Sequence, residues 1–499
     1  MILVSEAEIQ AEAERLAHLG VSVHQGSPIL KEPFAAERSR RSWLVPSQWH
    51  LDWVERAKRQ DVDHIQRDEL LLDLSILEQT VTEAYGGFSY FAAKGFNWGQ
   101  FFAGWRAHLQ SSTPEVTFLE GFQPWYQLKS TFVDNHSGPV LGPELKRLSD
   151  QSSSRTYRLP GGTLPAAEVS LKTTDGRALV LEASEPSHQI KQVLGPQLEE
   201  ASYIVVPSGR GDVSSLICGQ EEIPLKLLRG ASIAEIESLH AGPFHLPSVR
   251  EIDKDTVLIR IPTLVKENFA ELDRLHEEWS QRPREHSKVV IDLRANGGGD
   301  GGSALDLLLL WVDREKTEVH FEHPKVVMES CLAEALRYGY TQATSLRLSP
   351  PLPNSLRNSI QGVYDGLFST EACEIRKEVQ YPSAYNYSLR PKSDPYQKVA
   401  RRFLILTDQH TGSDGEWLTY ILRSIPEALV LGQNTLGVAQ FIQPGYFILP
   451  HTRIGFRIAR GVADQYGDSR LFDGYGFDVD ILLESHSASE VLKVISRIQ

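Results

Sequence analysis

The sequence predicts a multi-domain protein built round an α/β core, and three observations carry that expectation. Residues 288–293 (KVVIDL) and 403–406 (FLIL) are apolar runs of strand length, as strands buried on both faces of a parallel sheet require. Each run enters a glycine-bearing turn and is followed by apolar residues of a helix: Ala304 to Val312 after the first, and Trp417, Leu418, Ile421 and Leu422 after the second. The chain has 499 residues, too many for one small core, so several domains are expected.

The second of these units is the most informative stretch. It reads FLILTDQHTGSDGEWLTYIL over residues 403–422: strand, polar loop, Ser413, helix. A serine at such a turn presents its hydroxyl at the mouth of the strand, and the first N–H groups of the helix point toward it, where an oxyanion could form. This is the logic of a nucleophile elbow, although the G-x-S-x-G spelling is absent. A purely structural alternative fits the same residues, with Ser413 as helix N-cap and Glu416 completing a capping box.

Composition narrows the function classes. Hydrophobic residues are 41% and charged residues 23%, an ordinary globular balance. Fifty-one Lys and Arg against 65 Asp and Glu give a net charge of −14, which argues against a nucleic-acid partner. Cys218, Cys331 and Cys373 are scattered and form neither a zinc pattern nor a disulfide framework. No window reaches the apolar length of a membrane span. The acidic, amphipathic N-terminus is unlike a signal peptide, which leaves the cytoplasm as the expectation for the chain as written.

Taken in order, residues 1–60 form an arm with a short helix, Glu6 to Leu19. Residues 61–154 read as a helical domain, with helices from Arg67 to Thr82, from Trp98 to His108 and from about Phe122 to Val133. That domain ends in Asp134-Asn135-His136-Ser137. A histidine just past a helix end ordinarily complements the dipole. Residues 155–250 are β-rich, with strands at Ala167 to Lys172, Ala178 to Leu181 and Tyr203 to Val206. The Arg210-Gly211-Asp212 tripeptide there is read as turn only. The α/β core spans residues 251–485. It opens with the strand TVLIRI (Thr256 to Ile261) and the helix Asn268 to Trp279, and it continues after KVVIDL into Arg294-Ala295-Asn296-Gly297-Gly298-Gly299-Asp300. This glycine turn lacks the lysine and spacing of a phosphate loop. Its bare backbone suits an N–H donor close to a substrate oxygen. Residues 313–400 interrupt the core as a cap, with helices expected from Met328 to Tyr338 and from Pro353 to Leu367. A strand at Ala428 to Leu431 and a β-rich segment at Phe441 to Ile458 follow, and residues 486–499 close the chain with a helix.

Four pieces of the core resemble one family. IDLRANGGG is similar to the D-L-R-x-N-x-G-G element of the C-terminal processing (tail-specific) serine peptidases of family S41 and their tricorn-type relatives. LTDQHTGSDGE is similar to their nucleophile segment, closest to the tricorn branch. ALVLGQNTLG resembles the following G-x-x-T-x-G element. FDGYGFDVDIL resembles the terminal E-x-x-G-x-x-P-D segment, with Asp473 at the acid position and Val479 in place of the proline. The resemblance implies a ClpP/crotonase-like α/β core, with an N-terminal helical domain and a β-rich middle region.

It also implies a chemistry. Ser413 would be the nucleophile of an acyl-enzyme route that cleaves peptide or related amide bonds. The processing-protease branch places a base lysine where this chain has Val438, so a serine–lysine dyad is excluded there. The tricorn branch takes a histidine from the helical domain, and His136 fits that place, with Asn135 where the relatives carry serine. Asp473 would support the imidazole. Backbone N–H groups of Gly298 (or Gly297) and Asp414 would hold the oxyanion. His410, three residues before Ser413, is the rival base. Asp408 with His410 lacks the further ligands of a metal site. No cofactor or metal is expected, and a peptide or protein is the expected substrate. Two alternatives stand beside the hydrolase: a peptide-binding protein that has lost turnover, and a dedicated biosynthetic enzyme whose acyl-enzyme is resolved by transfer or cyclisation.

Overall fold

The computed structural model describes residues 62–131, 134–142, 155–159, 169–176, 178–180, 190–206, 213–240, 243–312, 320–321, 325–328, 377–378, 385–386, 401–449, 451–464 and 474–498. The expected N-terminal arm, the Arg210-Gly211-Asp212 turn, most of the cap and Asp473 lie outside these residues. The chain divides into two compact units. One comprises the described parts of Met1–Asp150, Lys325–Tyr381 and Phe441–Asp464, and the other those of Gln151–Pro324, Pro382–Gln440 and Gln465–Gln499.

The second unit is a mixed α/β structure on one ten-stranded sheet. Its order is Lys226–Leu227, Arg155–Leu159, Glu200–Val206, Ile190–Leu194, Ile481–Leu482, Leu429–Gly432, Arg402–Thr407, Lys288–Asp292, Thr256–Arg260 and Ser248–Glu251. From Ile190–Leu194 to Thr256–Arg260 the strands run parallel. Both faces of these strands are covered, which is why their sequences lack polar alternation. Val257, Ile259, Val289, Ile291, Phe403, Ile405 and Val430 enter one core, with Leu272 and Leu275 of helix Phe269–Ser280 and Leu418, Ile421 and Leu422 of helix Asp414–Arg423. Leu258, Val290, Leu404, Leu406 and Leu431 enter the opposite core, against Val491, Val494 and Ile495 of helix Ala488–Arg497. Each such side chain contributes roughly 1.5–3 kcal/mol of burial.

The strands expected in residues 155–250 are distributed over two sheets. Glu200–Val206 extends the core sheet with the unexpected strands Arg155–Leu159, Ile190–Leu194 and Lys226–Leu227, and Val169–Thr173 and Ala178–Val180 join Val213–Cys218 and Glu221–Pro224 in a four-stranded antiparallel sheet. Tyr157, Leu171, Ile204 and Leu216 share the core of this region.

The first unit packs helices Arg67–Ala84, Phe88–Ala93, Trp98–Ser111 and Phe118–Thr131 with the hairpin Phe441–Ile448/Gly455–Asp464. Strand Lys325–Met328 pairs with this hairpin, so Met328 ends a strand rather than opening the helix expected there. Asp73, fully buried on the first helix, holds the hairpin's turn. Its Oδ1 accepts from His451 N and Nδ1 at 2.9 and 2.8 Å, and its Oδ2 from Thr452 N and Oγ1 at 2.7 and 2.6 Å. Asp73→Ala leaves four half-buried donors without their acceptor, at a cost of ~2 kcal/mol. The expected readout is roughly 30-fold faster amide exchange in the 449–454 turn, and unchanged exchange would show that the turn holds itself.

Among the described residues no helix is long and apolar enough to cross a membrane.

Candidate active site

Three loops leave the C-terminal ends of adjacent parallel strands, the usual place for a site in an α/β sheet. The strand pairing puts Asp292 opposite Leu406 and Thr407 opposite Gly432, so the glycine loop, the serine loop and the 433–438 loop start side by side.

Ser413 sits between strand Arg402–Thr407 and helix Asp414–Arg423 with φ 52° and ψ −122°. A non-glycine residue held there carries about 1–3 kcal/mol of strain, which persists only where the surroundings impose it. Here they do. Gly412 N–H donates to Asn296 O at 2.8 Å, and Glu416 N–H to Ser413 O at 2.9 Å. The glycine loop is tied on by further bonds: Thr411 Oγ1 to Leu293 O at 2.9 Å, Ala295 N–H to Asp408 Oδ1 at 2.9 Å, and Gly301 N–H to Asp414 Oδ2 at 2.9 Å.

These ties bring Gly298 against the serine. With φ +103°, a Cβ built on Gly298 would lie 2.7 Å from Ser413 Cβ and 2.9 Å from Asp414 N. Ser413, Gly298 and Asp414 are therefore brought together. Gly298 N–H, one of the anticipated oxyanion donors, is directed to Asn296 Oδ1 at 2.9 Å. Gly297 is exposed, and its N–H has no acceptor among the described residues. Asn296 itself is fully buried, and its Nδ2 donates to Ile261 O at 2.9 Å, anchoring the loop to a strand end.

Behind the loop, Arg294 is fully buried and donates to both oxygens of Asp292, at 2.8 and 2.6 Å, and to His486 O at 3.1 Å. His240 Nε2 lies 2.7 Å from Asp292 Oδ2. Burial pushes the Asp292 carboxyl up, but the Arg294 guanidinium, joined by His240, outweighs it and holds the carboxyl well below the usual range. Arg294 is thus a buried brace of the turn.

Asp408 is buried and committed to backbone: Oδ1 accepts from Ala295 and His410 N–H at 2.9 and 3.0 Å, and Oδ2 from Ala231 N–H at 3.3 Å. These bonds shape the loop, and among the described residues no cluster of His, Cys, Asp and Glu could hold a metal. His410 is exposed and its ring lies beside Gly230. Val438, where the lysine of the processing proteases would stand, is 4% exposed, and its side chain packs against Gly412.

Asn135 and His136 belong to the other unit, in the turn after helix Phe118–Thr131. There the buried Asp134 sets the turn: its Oδ1 accepts from His136 and Ser137 N–H at 2.8 and 3.1 Å, and its Oδ2 from the Tyr85 hydroxyl at 2.7 Å. Arg457 donates to Asn135 O at 2.7 Å, and Ala459 N–H to Ser137 Oγ at 2.8 Å. Sequence reading placed Asp134 in the motif without giving it this role, and it missed Tyr85. The only signal was an aspartate two residues before the histidine, the spacing of an Asx turn.

The comparison with protein families falls on the same stretch as the motifs. The model of peptidase family S41 matches residues 255–481, the stretch that holds three of the four elements whole and the fourth up to Ile481. Compared with the curated proteins, the chain matches none. Among solved structures it is similar to mature CPAF complexed with lactacystin, at 14% identity and a TM-score of 0.44, covering 86% of this chain and 98% of that one. It is similar to the photosystem II D1 C-terminal processing protease at 12% identity and a TM-score of 0.34, covering 86% and 97%. The tricorn protease matches at 11% identity and a TM-score of 0.36, covering 85% of this chain and 35% of that one. Residues 255–481 are thus similar to peptidase family S41, a family of serine-type peptidases.

Proposed function

We propose that the chain is a tricorn-like serine peptidase that cleaves peptide or related amide bonds through an acyl-enzyme on Ser413. The carrying observation is the strained Ser413 backbone, φ 52° and ψ −122°, at the head of a helix with Gly298 against it. Ser413 Oγ attacks the amide carbonyl while His136 takes its proton. The negative oxygen is received by the N–H groups of Asp414 and Gly297, with Gly298 supplying bare backbone beside it. Collapse breaks the C–N bond, and His136 returns the proton to the leaving amine. Water, deprotonated by the same imidazole, then releases the acid and restores Ser413. Asp473 supports the imidazole in this reading. His136 is preferred to His410 because its turn is fixed by Asp134 and Tyr85, whereas the His410 ring is placed beside Gly230.

The test is intact-mass analysis after incubation with a fluorophosphonate. One adduct on wild type, absent from Ser413→Ala and from His136→Ala, is the expected result. Labelling that survives His136→Ala moves the base elsewhere, with His410 next in line. An unlabelled wild type supports a peptide-binding protein without turnover. Product mass on a cleaved peptide separates hydrolysis from acyl transfer or cyclisation.

A further inference from the structure

We propose that Glu416 is a positioning residue for Ser413: its buried carboxylate fastens the Ser413 backbone to the 435–438 loop and so holds the strained turn that presents the hydroxyl. The inference rests on Ser413 being the nucleophile.

Glu416 is fully buried, and both oxygens are doubly engaged. Oε2 accepts from Ser413 N–H at 3.2 Å and from Val438 N–H at 2.7 Å. Oε1 accepts from the Thr435 hydroxyl at 2.5 Å and from Gly437 N–H at 2.8 Å. Thr435 Oγ1 in turn accepts from Phe477 N–H at 2.7 Å. One side chain thus joins the serine turn, the 435–438 loop and the 474–478 segment.

The same position would serve a capping box, in which glutamate returns to the N-cap amide. A cap needs one acceptor and works at a solvated helix end. Glu416 has four neutral donors and holds a hydroxyl 19 residues away and backbone 21 and 22 residues away. Such burial is costly for a carboxylate without a cation, and it pushes the group up to about 7. A plain cap would not require it.

The arrangement has a functional reason. At φ 52° the Ser413 peptide is held against its own preference, and rotation there would carry Oγ and the Asp414 amide away together. The carboxylate fixes the N–H side of that peptide. The 435–438 loop supplies amides that fix the carboxylate. It thus acts as a brace for the nucleophile.

The experiment measures inactivation of the full chain by a fluorophosphonate, resolved into the maximal rate kinact and the affinity KI, together with peptide mapping of the adduct and Tm. Glu416→Ala is expected to lower kinact by roughly 10²-fold with KI unchanged, as expected when a reacting group loses its alignment. Glu416→Gln keeps an acceptor for one pair of donors and should fall about tenfold. Thr435→Val, which removes the hydroxyl donor, should also fall about tenfold, while Thr435→Ser restores the wild-type rate. If Glu416→Ala does not fold, the Gln and Thr435 variants decide. A wild-type kinact in folded Glu416→Gln and Thr435→Val, with wild type labelled at Ser413, overturns the proposal and leaves the nucleophile standing. Loss of Tm with unchanged kinact in the folded fraction also overturns it. An adduct mapping away from Ser413 in wild type overturns both.

Discussion

Gly298→Ala is expected to abolish the reactivity of Ser413, with labelling slowed by at least ~10²-fold. The new Cβ would lie 2.7 Å from Ser413 Cβ, 2.9 Å from Asp414 N and 3.0 Å from Gly412 O. Two of those are backbone atoms fixed by bonds of the serine loop, so nothing can give without moving the nucleophile. The φ of +103° adds strain for any residue with a side chain. Gly297→Ala is the matched control. A Cβ there meets nothing within 4 Å, and the N–H is retained. It should label near the wild-type rate. Comparing the two separates loss of a glycine from loss of this glycine. Wild-type labelling of Gly298→Ala would mean that the glycine loop does not lie against the serine in the reacting protein.

Arg294→Met is expected to lower stability by about 3–5 kcal/mol, because it strips a fully buried carboxylate of its bidentate partner. Asp292 would keep His240 at 2.7 Å and the more distant Arg260 at 3.9 Å. His240 is itself held low by burial and is a poor replacement for a guanidinium. The pH sign follows from the depressed Asp292 carboxyl. Its contribution is complete above the ordinary value of 3.8 and is lost only as pH falls further, through the folded-state value. Arg294→Met should therefore lose most of its stability difference from wild type in strong acid. Denaturant unfolding at pH 7 checks the size, and the double variant Asp292→Leu/Arg294→Met should recover part of the loss. A single variant within 1 kcal/mol of wild type would show that the turn does not depend on this pair.

Much of this molecule was legible in the sequence. The strands at 288–293 and 403–406, the glycine turn and the helix after Ser413 follow from apolar period and turn chemistry, which act over a few residues. The residues lining up as IDLRANGGG and GSDGE determined a serine at a strand–helix turn, and Val438 ruled out the lysine. These features needed no packing, because the strands, turns and helix each depend on chain neighbours alone.

Other features were decided only by tertiary structure. Glu416 reads locally as a cap, and its role as a brace depends on amides at 437 and 438 that arrive through the pairing of Leu429–Gly432 with Arg402–Thr407. Gly298 N–H reads as an oxyanion donor until the Asx turn of Asn296 directs it inward. The hairpin at 441–464 shows by its apolar residues that one face is buried, but not that it shares a core with helices some three hundred residues earlier. Strand extension of the core sheet by residues from 155–250 was equally hidden. The common reason is that local propensity fixes what an element is. Register and long-range hydrogen bonds fix what it touches, and those are settled only when segments distant in the chain pack together.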